Sequence, residues 1–288
     1  PLGGAVRERV RIPVERPDVS DVVELVARVV ADWRGGALAG CRIEGVGVAV
    51  PGLVRVSDGL VRLAPHLEWR DADIAGPLAA ALGLDVVVGN DASLGARAER
   101  LFGAARQHED VVYLNGGASG IGGGLILHGT LIGGVGGYAG EWGQTAASVA
   151  EAADRRAEGG VLEDEVNRAR LVQAADLAAP DDAELRTALA ASADGGPAAA
   201  EVARQRRILA ATLGNAVNVL NPSMIVLGGF LGILRDLDPQ GFDDEVRGRA
   251  LAASAEGLEL SAAALGADRL LIGAADAAFE RLLADPLG

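Results

Sequence analysis

The sequence of 288 residues contains no lysine, and all 26 of its basic residues are arginine. That excludes a Walker-type phosphate-loop lysine, the strand lysine of protein kinases and any Schiff-base chemistry in this chain. A single cysteine, Cys41, excludes an internal disulfide and fits a reducing cytoplasm. With only 3 histidines beside it, the chain is poor material for a zinc ribbon or a Cys–His catalytic pair. There is no G-x-S-x-G nucleophile elbow. No uninterrupted apolar run reaches the roughly 20 residues of a membrane span, and the first residues lack signal-peptide character. The net charge of −14 argues against nucleic-acid binding by this chain itself, since such affinity rests largely on neutralising phosphates. Chemistry here has to come from carboxylates.

What is abundant is glycine, 41 residues of it, in a chain that is 50% hydrophobic and 23% charged. This is the composition of a globular α/β protein of one or two domains. The glycines concentrate between Asn115 and Gln144. Leu125-Ile126-Leu127 and Leu131-Ile132 flank His128-Gly129, which reads as two short strands joined by a tight turn of positive φ. The cluster Gly120 to Gly124 lets backbone N–H groups approach a phosphate or a sugar. A second cluster, Gly133 to Gly140, leads into Glu141-Trp142-Gly143-Gln144, where a carboxylate and an amide stand among small residues.

Along the chain, Val6 to Val14 alternates loosely as a strand would, and Ser20 and Asp21 are placed to cap a helix to Trp33, with Glu24 completing a capping box. Arg42 to Val50 reads as a buried strand ending in Pro51-Gly52. Leu84 to Val88 reads as a parallel-type strand, and Gly89-Asn90-Asp91 falls at its carboxyl end, where open α/β sheets gather ligands. Asp91 also stands at the N-cap of the helix from Ala92 to about Ala105. Asp110 to Leu114 forms a further strand, Ala198 to Leu220 a long helix stopped by Asn221-Pro222, and Ser223 to Gly229 a strand with a glycine turn. Another helix starts near Asp243, a strand lies near Leu258, and a final helix runs from Ala274 to Leu283.

Gly120-Ile121-Gly122-Gly123-Gly124-Leu125-Ile126, then Gly129, then Ala139-Gly140-Glu141 with Gly143, resembles the signature of the ROK family of repressors, open reading frames and sugar kinases. Pro51-Gly52, Asn90-Asp91 and Asn221 to Gly229 match further family elements in the expected order. The resemblance implies a two-lobed actin-like, ribonuclease-H-like ATPase fold with a ligand cleft between the lobes. It sets residues 1–108 as the first lobe, 109–273 as the second, and a last helix in 274–288 returning to the first. It also implies sugar contacts from Gly52, Asn90, Asp91, Glu141, Gln144 and Glu163, with Glu163 equally well explained as the acidic first turn of a helix. In a kinase Asp91 would be the general base, and Gly120, Gly122, Gly228 and Gly229 would approach the nucleotide, with ATP and Mg as cofactors.

The sequence also departs from the family. The Asp-x-Gly-x-Thr phosphate loop and its strand are not in the sequence, and Ala118-Ser119-Gly120 replaces the usual Gly-Thr-Gly. Gln144 takes the place of a zinc-binding histidine, and Asp154, Arg156 and Val161 stand where zinc-binding relatives have cysteines, so no structural zinc is expected. Together these favour the sugar-sensing domain of a ROK transcriptional regulator, with DNA contacted only by an upstream winged-helix segment. The other reading is an ATP-dependent hexose kinase. The family's habit implies a homo-oligomer, a dimer or tetramer, with no cofactor needed by a sensor.

Overall fold

The computed structural model describes residues 2–117, 119–147, 149, 152–192 and 195–285. The chain forms two compact units: residues 1–98, 132–139 and 267–288 make the first, and 99–131 with 140–266 the second.

The first unit opens with an extended, exposed segment where Val6 to Val14 suggested a strand; no strand of the described residues pairs with it. Helix α1 (Val19–Gly35) follows. Its capping box lies three residues ahead of the expected one: Asp18 Oδ1 accepts the Asp21 N–H at 2.9 Å, and Asp21 Oδ2 accepts the Asp18 N–H at 3.1 Å. Strand β1 (Gly45–Val50) leads to an antiparallel sheet of β2 (Leu53–Val54), β3 (Val61–Ala64) and β4 (Trp69–Ala72), which the sequence reading missed. Helix α2 (Ala75–Leu82) then precedes β5 (Asp85–Asn90), which pairs in parallel with β1 from Gly45↔Asp85 to Val50↔Asn90. Helix α3 (Asp91–Phe102) starts at the carboxyl end of β5. Val50, Val54, Val61, Ile74, Leu78 and Val88 form the core between these elements.

The second unit is built on a five-stranded sheet, ordered β10-β9-β6-β7-β8. Its strands are β6 (Val111–Gly117), β7 (Gly120–Leu127), β8 (Thr130–Leu131), β9 (Met224–Gly229) and β10 (Glu259–Ala262). β6 pairs antiparallel with β7 and parallel with β9, and Val111 to Leu114 are all buried, so both faces are covered and the strand reads Val-Val-Tyr-Leu without alternation. The β7–β8 turn has His128 at φ 51° and Gly129 at φ 73°, the two positive angles that a two-residue hairpin of this hand requires. Helices α4 (Leu162–Glu165), α5 (Arg168–Ala174), α6 (Asp182–Ala191), α7 (Gly196–Leu220), α8 (Phe230–Asp236) and α9 (Pro239–Arg247) surround the sheet. α7 ends as expected, on Asn221 in the left-handed region. α9 begins four residues before Asp243, because Asp238 caps it through the Gly241 N–H at 3.0 Å and Pro239 opens it. α8 is a helix where the sequence suggested only a glycine turn.

Helix α10 (Arg269–Ala284) belongs to the first unit and packs on β1 and α3. A side chain at Gly47 would strike the Ala274 backbone, and one at Gly273 would strike the Leu94 carbonyl.

Candidate functional site

In the first unit, three of the singled-out residues come together at the carboxyl ends of β1 and β5. The Asn90 amide donates to the Gly52 carbonyl at 2.8 Å, tying the exit turn of β1 to the end of β5. Asn90 Oδ1 accepts the Ser93 N–H at 2.9 Å. The cap of α3 is therefore Asn90, and Asp91 is its first helical residue. The sequence put Asp91 at the cap position; the cap falls one residue earlier, which leaves Asp91 with less to do structurally. Its Oδ1 accepts the Ala92 N–H at 2.8 Å and the Asn90 amide at 3.3 Å. Burial pushes the Asp91 carboxyl above the usual carboxylate range; the Ala92 N–H and the Arg269 charge offset this only in part.

In the second unit, the cluster Gly120 to Gly124 lies within strand β7 and is not a free loop. Gly120, Gly122, Gly123 and Gly124 face Gly117, Asn115, Leu114 and Tyr113 of β6. Ala118, part of the expected phosphate turn, lies outside the described residues. Glycine at 123 lets the turn Trp142–Gln144 lie on the strand: a side chain there would meet Trp142 and, at 2.9 Å, the Gly140 carbonyl. That turn brings Gln144 beside Glu163. Gln144 Nε2 donates to Glu163 Oε1 at 2.6 Å, and the Ile121 N–H donates to Glu163 Oε2 at 3.1 Å. The carboxylate is seated on glycines. A Cβ on Gly120 would collide with Glu163 Oε2, and one on Gly143 would come within 2.7 Å of it. Glu141 is exposed three residues before Gln144, and its carbonyl accepts the Gln144 N–H at 3.1 Å.

At Gly228 and Gly229, two of the glycines expected near a nucleotide, the chain itself lies where a side chain would go. A side chain at Gly228 would press on Asn115 Oδ1 at 2.5 Å and the Tyr113 hydroxyl at 3.1 Å, and one at Gly229 would strike the Gly116 carbonyl.

The residues at the positions of the family's zinc ligands have other partners. Arg207 binds both oxygens of Asp154, from Nε at 3.0 Å and Nη2 at 2.8 Å, and holds that carboxyl below its usual range. The Arg156 N–H donates to Glu165 at 3.0 Å. Val161 pairs with Ala146 in an isolated bridge. Among the described residues no group of three or more His, Cys, Asp or Glu side chains is placed to hold a metal ion.

Sequence reasoning missed the buried charges below this site. Glu165 and Gln205 are fully buried and Arg204 nearly so. Burial opposes ionisation of Glu165, but the Ala157 and Arg156 N–H groups with Arg204 more than offset it, holding the carboxyl below its usual range. The one available signal was Arg204 standing one helical turn before the apolar Ile208.

A family model described as the ROK family matches residues 3–281. The chain belongs to the ROK family. Its α/β fold is that of ROK sugar kinases and actin-like ATPases. It is 26% identical over 251 residues to a xylose repressor of Caldicellulosiruptor bescii, an alignment covering 80% of this chain and 61% of the repressor. A ROK family transcriptional regulator, homologous to the E. coli MLC protein, superposes with TM-score 0.80 at 24% identity over 98% of this chain and 75% of its own. A ROK family glucokinase of Streptomyces griseus, in complex with glucose and AMPPNP, superposes with TM-score 0.66 at 26% identity, covering 88% of this chain and 87% of the glucokinase. Relatives of this ROK chain thus include both repressors and kinases. No helix among its described residues is long and apolar enough to cross a membrane.

Proposed function

We propose that this chain is the sugar-binding effector domain of a ROK-family transcriptional regulator. The observation that carries this reading is the Glu163 carboxylate, seated against Gly120 and Gly143 and held by the Ile121 N–H and Gln144. A backbone donor in the glycine cluster is thereby committed to a carboxylate. That group accepts from sugar hydroxyls and repels phosphate. Gln144 donates and accepts without carrying charge, which suits a polyol. Glu141 is a further candidate in the same unit, and in the first unit Asn90 and Asp91 offer an amide and a carboxylate of their own. Similarity to a xylose repressor supports the regulator. DNA contact would come from a segment outside this sequence, because the net charge of −14 opposes phosphate binding here.

The test is calorimetry with D-xylose, D-glucose and amino sugars on the wild type, Asp91→Ala and Glu163→Ala. Loss of one carboxylate that accepts a buried hydroxyl should cost about 1.5–3 kcal/mol, roughly ten- to a hundredfold in affinity. A wild type that binds nothing in the panel, or variants that bind equally well, would sink the reading.

A sugar kinase is the second reading, favoured by Asp91. Its carboxyl is relieved of capping by Asn90 and lifted by burial, and in this reading it would take a proton from a sugar hydroxyl. The similarity to a glucokinase supports it as well. ATP and Mg would then be required. Sugar-dependent ADP release that vanishes in Asp91→Asn would establish this reading over the regulator.

A further inference from the structure

Arg204 on α7 is 2% exposed. Its guanidinium uses every donor it has. Nε donates to Glu201 Oε2 at 2.9 Å, and Nη1 donates to the Asp154 carbonyl and to Glu165 Oε2, each at 2.8 Å. Nη2 donates to the Glu165 carbonyl at 2.6 Å and to Glu201 Oε1 at 2.8 Å. The Glu165 carboxylate also accepts the N–H groups of Arg156 at 3.0 Å and Ala157 at 2.9 Å. The next residue of α7 extends the grip: Gln205 donates to the Asn167 carbonyl at 2.9 Å and accepts the Asn167 N–H at 3.1 Å. Asn167 in turn donates to the Glu163 carbonyl at 3.3 Å.

These bonds converge on α4, a helix of 4 residues. One turn of helix does not hold itself, because nucleation costs more than a single turn returns. Its position is imposed from outside, and the strongest imposed contacts come from Arg204. Buried ion pairs add little stability over apolar packing of the same shape, yet they fix geometry when every donor is used. We propose that Arg204 is a positioning residue: an ionic cross-link from α7 that sets α4 and thereby aims the Glu163 carboxylate at Ile121 and Gln144. The functional part of this proposal rests on the sugar-binding reading; its geometric part does not.

The experiment compares the wild type with Arg204→Lys, which keeps the charge and loses the planar fork, and Arg204→Met. If Arg204→Met does not fold, the charge-free triple variant Arg204→Met/Glu165→Met/Glu201→Gln takes its place, since it leaves no unpaired carboxylate buried. Amide hydrogen exchange is followed at Ile121 and across 152–167, and calorimetry is run with D-glucose and D-xylose. Exchange at Ile121 should rise at least tenfold in each variant, while Val111 to Leu114 of β6 stay protected. Sugar affinity should fall at least tenfold, and lysine should not rescue it. Loosening confined to 152–167, with Ile121 still protected and affinity unchanged, would overturn the proposal and leave Arg204 a purely structural staple. A wild type that binds neither sugar, with Ile121 still responding to Arg204, would uphold the positioning and refute the sugar-binding reading instead.

Discussion

Gly120→Ala probes the seat of Glu163 without touching the carboxylate. Gly120 has φ 136°, an angle that L side chains rarely adopt, and its new methyl would collide with Glu163 Oε2. The backbone strain alone should cost about 1–3 kcal/mol. The collision adds to this, although the atom struck is the tip of a flexible side chain. That tip is held by the Ile121 N–H at 3.1 Å and the Gln144 amide at 2.6 Å, so moving it gives up charge-assisted bonds. Such a bond is worth about 1.5–3 kcal/mol. Urea unfolding of a double-mutant cycle with Glu163→Ala separates the two contributions. Gly120→Ala should cost about 1.5–3 kcal/mol more in the wild-type background than in Glu163→Ala, where only the strain remains. Gly257→Ala is the control, since Gly257 has φ 74° and open space around its would-be Cβ. Its cost should be the same with or without Glu163. A coupling energy for Gly120 within error of zero would refute the claim that glycine at this position seats the carboxylate.

Asp91 predicts a pH effect. Burial raises its folded-state pKa above the unfolded value, so the native state binds more protons than the unfolded state between those two values, and stability falls as pH rises through that window. Asp91→Asn should therefore raise the melting temperature near pH 7 and flatten the pH dependence above about pH 4; an unchanged profile would show that Asp91 is not strained by burial. Asp154 is committed to Arg207 and Arg156 turns its N–H to Glu165, so elemental analysis should find no stoichiometric zinc and a chelator should leave the melting temperature unchanged. Tightly held zinc at one ion per chain would contradict this. The chain of 288 residues should release no ADP above background with any common hexose in a coupled kinase assay, in keeping with the regulator reading.

Much of this was legible in the sequence. The His128-Gly129 hairpin, the long helix stopped by Asn221-Pro222 and the strand before Gly228-Gly229 all carry strong local signals, and all are present. The antiparallel sheet from Leu53 to Ala72 was not legible, since its strands span only two to four residues and alternation needs a longer window. Its anchor is a tertiary bond, Trp69 Nε1 to the Pro17 carbonyl at 2.8 Å, which no local pattern announces. The capping errors at α1 and α3 are matters of frame. Asp18 and Asp21, or Asn90 and Asp91, offer competing caps, and which one wins depends on where the preceding chain enters. Glu163-Asp164-Glu165 read as an acidic first turn suited to a helix dipole. One of the three is instead fully buried against Arg204, 39 positions away in sequence, and another joins Gln144 and Ile121.

The glycines show most clearly why composition stops short of function. Removing Cβ atoms allows close approach, and close approach serves a phosphate, a sugar or another segment of the chain equally well. Here three different partners fill the space: Trp142 and the Gly140 carbonyl at Gly123, the Gly116 carbonyl at Gly229, and the Glu163 carboxylate at Gly120. The first two are packing and would be needed in any member of this fold that brings those backbones together. The third changes the sign of the local field, because a carboxylate at the strand end disfavours the polyanion that the same glycines would otherwise admit. In the sugar-binding reading, what separates a phosphate cradle from a hydroxyl-binding pocket is the group that receives the N–H donors, and Glu163 receives that of Ile121. That assignment is made by α4 and its cross-link to α7, at a distance in sequence that glycine spacing does not encode.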